Sequence, residues 1–205
     1  MLKILSNSIN PYTFSIMKIN KSYYKVYHWI ENIFRTLFLF ALALIHFQCN
    51  NVQDLNTVSQ VDLNKYVGKW YEIAAFPQSF QKDCYCSTAE YTLSSNKEYV
   101  EIENSCNKDS IQGKQVTIKG KAFVEKNSGN ARLQVQFFWP FRGKYWIIDL
   151  ADDYSYAVIG HPNRDYLWIL SRTPAMAEPL YQEILNRVQT QGFDIRKIKK
   201  TVQVL

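Results

Sequence analysis

Between residues 68 and 172, apolar and polar side chains alternate with a period of two. Leu133, Val135 and Phe137 stand against Arg132, Gln134 and Gln136; Val100 and Ile102 against Glu101 and Glu103; Tyr91 and Leu93 against Glu90 and Thr92. Successive side chains of a strand point to opposite faces, so these segments are antiparallel strands with one face in a core and the other in water. The same pattern argues against the continuously apolar, parallel strands of a nucleotide-binding sheet. Eight strands are predicted: Lys69–Phe76, Ser87–Leu93, Tyr99–Asn104, Gln115–Val124, Arg132–Phe138, Lys144–Leu150, Tyr156–Gly160 and Tyr166–Arg172. The breaks "SSNK", "NKDS", "NSGN", "PFRG", "ADD" and "HPNRD" carry the Gly, Asn, Asp and Pro chemistry of tight turns.

After Arg172 the period changes. Glu178 and Pro179 read as an N-cap and first turn, Leu180, Ile184, Leu185 and Val188 recur at helical spacing, and Gly192 stands where the helix would end. "FDIRKIKKTVQ" adds a short extended segment. One helix cannot cover the apolar face of eight strands, so the sheet must close on itself or stack. The expected architecture is all-β, an eight-stranded up-and-down antiparallel barrel with one C-terminal α-helix. Its interior would be wide enough for side chains or one small ligand.

A chain of 205 residues, 47% hydrophobic and 15% aromatic, supplies one well-filled core. The expected division is a leader over 1–48, a linker over 49–60 and the barrel domain over 61–205. The net charge of +6 is concentrated in the leader, where Lys3, Lys18, Lys21, Lys25 and Arg35 face Glu31 alone. The remaining chain is nearly balanced, and a nucleic-acid partner is not expected. Within the leader, the uncharged stretch Leu37–Ile45 is too short to span a bilayer and suits the core of a signal peptide. Export follows. Cys49 stands just after it, at the place of a lipid-modified cysteine, although "HFQC" lacks the small residues that usually precede one. An ordinary cleaved signal and an uncleaved anchor are the alternatives, and Met17 is an alternative start.

Three other cysteines, Cys84, Cys86 and Cys106, allow one disulfide and one leftover thiol in an exported chain. Period two puts Cys84 and Cys86 on the same side of a strand, so spacing leaves the partner of Cys106 open. Three thiolates with no histidine near them in sequence make a poor zinc site. Catalysis finds little support either. His161, the one histidine beyond the leader, sits in a turn, and Asp149, Asp152, Asp153 and Asp165 define no acid–base pair. No nucleophile with an adjacent base is apparent. Arg142 and Lys144 lie near a loop where they would either receive an anionic head group or remain solvated charges.

Gly68 and Trp70 at the head of the first strand, with Arg172 at the end of the last, resemble the signature of the lipocalins. "GKWYEIAAFPQSFQK", "GKAF", "VQFFWPFRGKYWII" and "HPNRDYLWILSRTP", in that order, resemble the bacterial lipocalin and apolipoprotein D-like branch. The resemblance implies the calycin barrel, with Trp70 plugging the closed end and the Arg172 guanidinium packed across its indole. It places Trp168 inward together with Tyr166 and Leu170, and makes Trp168 and Tyr91 pocket residues. Val135, Phe137 and Tyr145 complete the expected wall. It also implies a Cys84–Cys106 bond and a fatty acid or lysophospholipid as ligand, with no cofactor, metal or catalysis. A lipoprotein on the periplasmic face of the outer membrane is the implied location, periplasmic or secreted otherwise, with a lipid anchor on Cys49 as the membrane contact. A homodimer is compatible with this reading. The alternatives are a partner-sequestering lipocalin with a filled barrel and, further off, a lipid-acting enzyme.

Overall fold

The computed structural model describes residues 26–38, 54–96 and 98–204. The chain divides into two units, Met1–Val52 and Gln53–Leu205. In the first, helix α1 occupies 26–38; Met17, Cys49 and most of the expected leader lie outside the described residues. Among the described residues no helix is long and apolar enough to cross a membrane.

The second unit opens with a short helix, α2 (Leu63–Tyr66), whose N-cap Asp62 accepts a hydrogen bond from the Asn64 amide. Eight strands follow: β1 (Gly68–Ala75), β2 (Cys84–Leu93), β3 (Val100–Lys108), β4 (Gln115–Val124), β5 (Arg132–Gln136), β6 (Gly143–Leu150), β7 (Tyr156–Gly160) and β8 (Leu167–Ser171). Each pairs antiparallel with its neighbour in sequence, and β1 pairs with both β8 and β2, which closes the sheet into a barrel. Helix α3 (Glu178–Thr190) comes next, and a two-residue strand, β9 (Lys199–Lys200), adds to β1.

Helix α3 starts one residue earlier than its sequence suggests. Ala177 is the cap and Glu178 the first helical residue, which leaves Pro179 inside the first turn, where a missing N–H costs nothing. Gly192, at φ +88°, takes the left-handed conformation that ends the helix.

Alternation sorts the strands' side chains into two cores. Trp70, Ala89, Tyr91, Val100, Ile102, Ala122, Leu133, Ile147, Ile159 and Leu170 face the barrel interior. Ile73, Ile148, Val158, Leu167 and Ile169 face outward and are covered by Tyr181, Ile184, Leu185 and Val188 of α3. Packing begins before residue 61: Leu55, inside the stretch 49–60 read as a linker, is 1% exposed and joins this outer core. The Val58 amide also donates to Ile147 O at 3.0 Å.

The bond Cys84–Cys106 ties β2 to β3 and leaves Cys86 as the free thiol among the described residues. The expectation that Cys84 and Cys86 share a face fails because β2 bulges between Tyr85 and Thr88, with Cys86 at φ +53°. A bulge inserts an extra residue and breaks the period of two.

Ile184 is fully buried between α3 and the barrel wall. Ile184→Ala is expected to lower stability by about 2–4 kcal/mol, because it leaves a cavity as well as losing apolar burial. Urea denaturation followed by far-UV dichroism measures this, with the folded spectrum unchanged.

Candidate ligand-binding cup

The strands run alternately up and down from one end, where β1 begins beside α2, to the other, where β1 ends at Ala75. The first end is sealed. Arg172 lies over the Trp70 ring, 3.7 Å from its centroid. Its guanidinium donates to Tyr154 O at 3.3 Å, Lys69 O at 2.9 Å, Lys65 O at 2.7 Å, and Tyr66 O and Val67 O, each at 3.1 Å. The Trp70 indole donates to Tyr66 O at 2.8 Å. Gly68 adopts φ +95°, and a Cβ there would stand 3.4 Å from Arg172 Nη1. The turn from α2 into β1 therefore requires the glycine for its backbone conformation.

Above this floor three tyrosine hydroxyls meet. Tyr145 Oη is 2.8 Å from Tyr66 Oη and 3.0 Å from Tyr91 Oη. Burial raises all three pKa values, that of Tyr91 to about 12, so the phenols are neutral hydrogen-bonding groups at physiological pH. The lower barrel is thus filled by the protein's own aromatic side chains.

The upper barrel differs. Val135, Phe137, Tyr145 and Trp168 pack against the interior cluster but are only partly buried. Val116 and Ile118 occupy inward positions on β4, opposite Cys106 and Asn104, yet are 41% and 39% exposed. These apolar side chains are the inward ones that the barrel leaves partly exposed. At its mouth the connections after β1, β3, β5 and β7 come together by topology, carrying the exposed Phe80, Phe138, Trp139 and Phe141.

The expected wall residues fall as follows. Tyr91 and Leu170 are buried low in the interior, and Trp168, Val135, Phe137 and Tyr145 line it. Tyr166 precedes β8 and stacks on Trp168 with ring centroids 5.9 Å apart, touching His161 on its other side. Arg142 lies 4.0 Å from the Phe123 ring and Lys144 5.5 Å from that of Trp146, so both lean on outward-facing aromatics. An open groove of about 670 Å³ on the β2–β4 side is lined by the outward Glu90, Glu103, Lys119 and Lys121 together with Ile102, Phe137 and Trp139.

Glu72 is among the interior residues that escaped the sequence reading. Glu72 pairs with Leu170, shares the inward row of Trp70 and is 9% exposed. Thr201 Oγ1 donates to its Oε1 at 2.6 Å and Gln81 Nε2 to its Oε2 at 2.9 Å, while Trp168 Nε1 donates to Gln81 Oε1 at 3.1 Å. Burial raises the Glu72 pKa against the lowering by these two donors. Its parity with Trp70 in "WYE" was the available signal.

A glycine-bounded tryptophan under an arginine, at the sealed end of an antiparallel barrel with one packed helix, is the frame into which the sequence comparison fits: a lipocalin-like domain matches residues 61–203. The chain belongs to the lipocalin family. This lipocalin is 36% identical over 160 residues to temperature-induced lipocalin-1 of Arabidopsis thaliana, covering 74% of this chain and 84% of that protein. It is 38% identical over 143 residues to the outer membrane lipoprotein Blc of Escherichia coli K12, covering 70% and 80%. With bovine apolipoprotein D the identity is 34% over 152 residues, covering 70% and 77%. Among solved structures, insecticyanin of Manduca sexta superposes with a TM-score of 0.59 at 20% identity, over 74% of this chain and 85% of that one, which speaks to the fold. Lipocalins generally bind small hydrophobic ligands and are typically not enzymes.

Two outcomes test this geometry. Arg172→Leu removes the donors of five backbone carbonyls while keeping some apolar contact with Trp70. It is expected to cost about 2–4 kcal/mol in urea denaturation, since the floor loses a charged donor shared by several carbonyls together with its contact on the Trp70 ring. Glu72→Gln is expected to stabilise the protein at neutral pH. The folded state holds the Glu72 proton more tightly than the unfolded chain, so the wild type loses stability as pH rises above the unfolded carboxylate value of 4.5. Melting temperatures of the two proteins should converge below that pH and separate above it.

Proposed function

We propose that this lipocalin captures a single-chain amphiphile, of the fatty acid or lysophospholipid class, in the upper barrel and carries or stores it at the bacterial envelope. The observation that carries this reading is the set of inward apolar side chains, Val116, Ile118, Val135, Phe137 and Trp168, left partly exposed in a barrel whose floor is sealed. Each methylene withdrawn from water into such a wall contributes about 0.8 kcal/mol, so an acyl chain binds without needing a specific polar contact. The exposed Phe80, Phe138, Trp139 and Phe141 at the mouth suit collection of the ligand from a lipid surface. The matched outer membrane lipoprotein Blc supports export and acylation of Cys49. No chemical step is assigned. Tyr91, Val135, Phe137, Tyr145, Tyr166, Trp168 and Leu170 are the residues assigned to the ligand, directly or by shaping the cup, and Gly68, Trp70 and Arg172 to its closure.

Purified protein is expected to release a single-chain lipid on organic extraction. Trp168→Ala is expected to weaken fatty-acid binding about tenfold, from lost apolar contact and lost stacking on Tyr166, with an unchanged far-UV spectrum. Isothermal titration of the delipidated protein measures the affinity. Unchanged affinity would remove Trp168 from the wall, and absence of any lipid binding would favour the partner-sequestering alternative.

A further inference from the structure

The last strand of the chain brings a cation to the mouth of the barrel. β9 pairs Lys200 with Ala74 and Lys199 with Ala75, at the end of β1 where the barrel opens. Three contacts settle which way its side chains face. Ile198 packs against the outer core under α3, the Lys200 ammonium donates to Glu178 Oε2 of α3 at 2.6 Å, and the Thr201 hydroxyl donates to the inward Glu72. Alternation then puts Ile198 and Lys200 outward and Lys199 and Thr201 inward. Lys199 is exposed, and among the described residues no carboxylate pairs with its ammonium.

Ala75, the partner of Lys199, pairs on its other side with Trp168. An alanine between a lysine and a tryptophan, all three on inward rows, leaves a notch with an ammonium on one side and an indole on the other. Below it the Glu72 carboxylate already takes donors from Thr201 and Gln81, so it does not depend on the lysine. The other cations near the mouth are engaged or set apart. Arg142 and Lys144 lean on outward aromatics, and Lys108 and Arg164 donate to backbone carbonyls. Lys82 lies in the turn after Gln81, and Lys114 precedes β4, which stands opposite β8 in the closed strand order.

We propose that Lys199 holds the head group of the ligand and that this group is a carboxylate, so that the cargo is a fatty acid rather than a lysophospholipid. The proposal rests on the carrier reading above and narrows it. The ammonium offers three donors and one positive charge, which a carboxylate matches with acceptors and one negative charge. The head of a lysophosphatidylcholine or lysophosphatidylethanolamine carries its own cation, which Lys199 repels, and its phosphate is already balanced within the head. The carboxylate rests in the notch at Ala75, still in contact with water and above the desolvated Glu72, and the acyl chain descends past Trp168 towards Phe137 and Val135. An ion pair at the edge of water contributes modestly to affinity, so its effect falls on the choice of head group.

The test is calorimetric titration of the delipidated full chain at neutral pH with laurate, monolauroylglycerol and dodecylphosphocholine, probes that share one chain length and differ in the head. Lys199→Met is expected to weaken laurate about fivefold and to leave the other two within about twofold. Lys199→Arg, which keeps the charge, is expected to hold laurate within about twofold of the wild type, and Lys114→Met to leave all three probes unchanged. Added salt should narrow the gap between the wild type and Lys199→Met for laurate. Thermal melts check that each variant folds. Unchanged laurate affinity in Lys199→Met, a loss shared by all three probes, or a wild type that binds the other two and not laurate overturns the proposal while leaving the carrier reading in place. Failure of the wild type to bind any of the three overturns both.

Discussion

Arg172 holds together three parts of the chain. Its donors reach carbonyls at the end of α2, at the start of β1 and in the turn before β7. A helix that ends leaves carbonyls without intrahelical partners, and here one guanidinium supplies several of them at once. Among the described residues the cation has no carboxylate partner, and desolvation lowers its pKa. Carbonyl dipoles and the Trp70 ring face provide its stabilisation instead. Because every later element is built on the turn these contacts define, the floor also sets the register that puts Trp70, Glu72, Tyr91 and Leu170 inside the barrel.

Period two then divides the molecule's energetics. In β8, Leu167 and Ile169 belong to the core under α3, while Trp168 and Leu170 belong to the barrel interior. The wall through β6, β7, β8 and part of β1 is covered on both faces, and the wall of β2 to β4 has one wet face. The inward residues left most exposed, Val116 and Ile118, are on that second wall. Rigidity and access are thus separated: the helix-backed side fixes the geometry, and the other side keeps apolar surface within reach of a ligand.

Much of this was legible because a barrel writes its architecture into local alternation. The eight strands emerged from that pattern to within a few residues at most ends, and the helix emerged from the spacing of Ile184, Leu185 and Val188. The exceptions share a cause, namely contacts between residues distant in sequence. The bulge at Cys86 is tied to an amide–carbonyl bond with Val202, which no local pattern announces. Tyr66 reads as one aromatic in a polar stretch, and its role depends on Tyr145 and Tyr91 meeting it inside the barrel. Glu72 sits in the right row to be noticed, but its partners Thr201 and Gln203 lie at the far end of the domain. Arg142 and Lys144 stand close to the loop after β5, and both lean on outward-facing aromatic rings, which no local pattern announces.

The buried acid also explains why the segment 199–203 lies where it does. β1 and β2 pair from Gly68 to Tyr71 and then separate, which opens a seam in the barrel. Lys199 and Lys200 pair with Ala75 and Ala74 in that seam, the Thr201 amide donates to Ile73 O, and Val202 O accepts from Cys86. Gln203 then bridges the two strands directly. The segment also sends in the Thr201 hydroxyl, which offsets part of the desolvation of Glu72. The same segment that completes the wall therefore also supplies a partner for the acid that the wall contains.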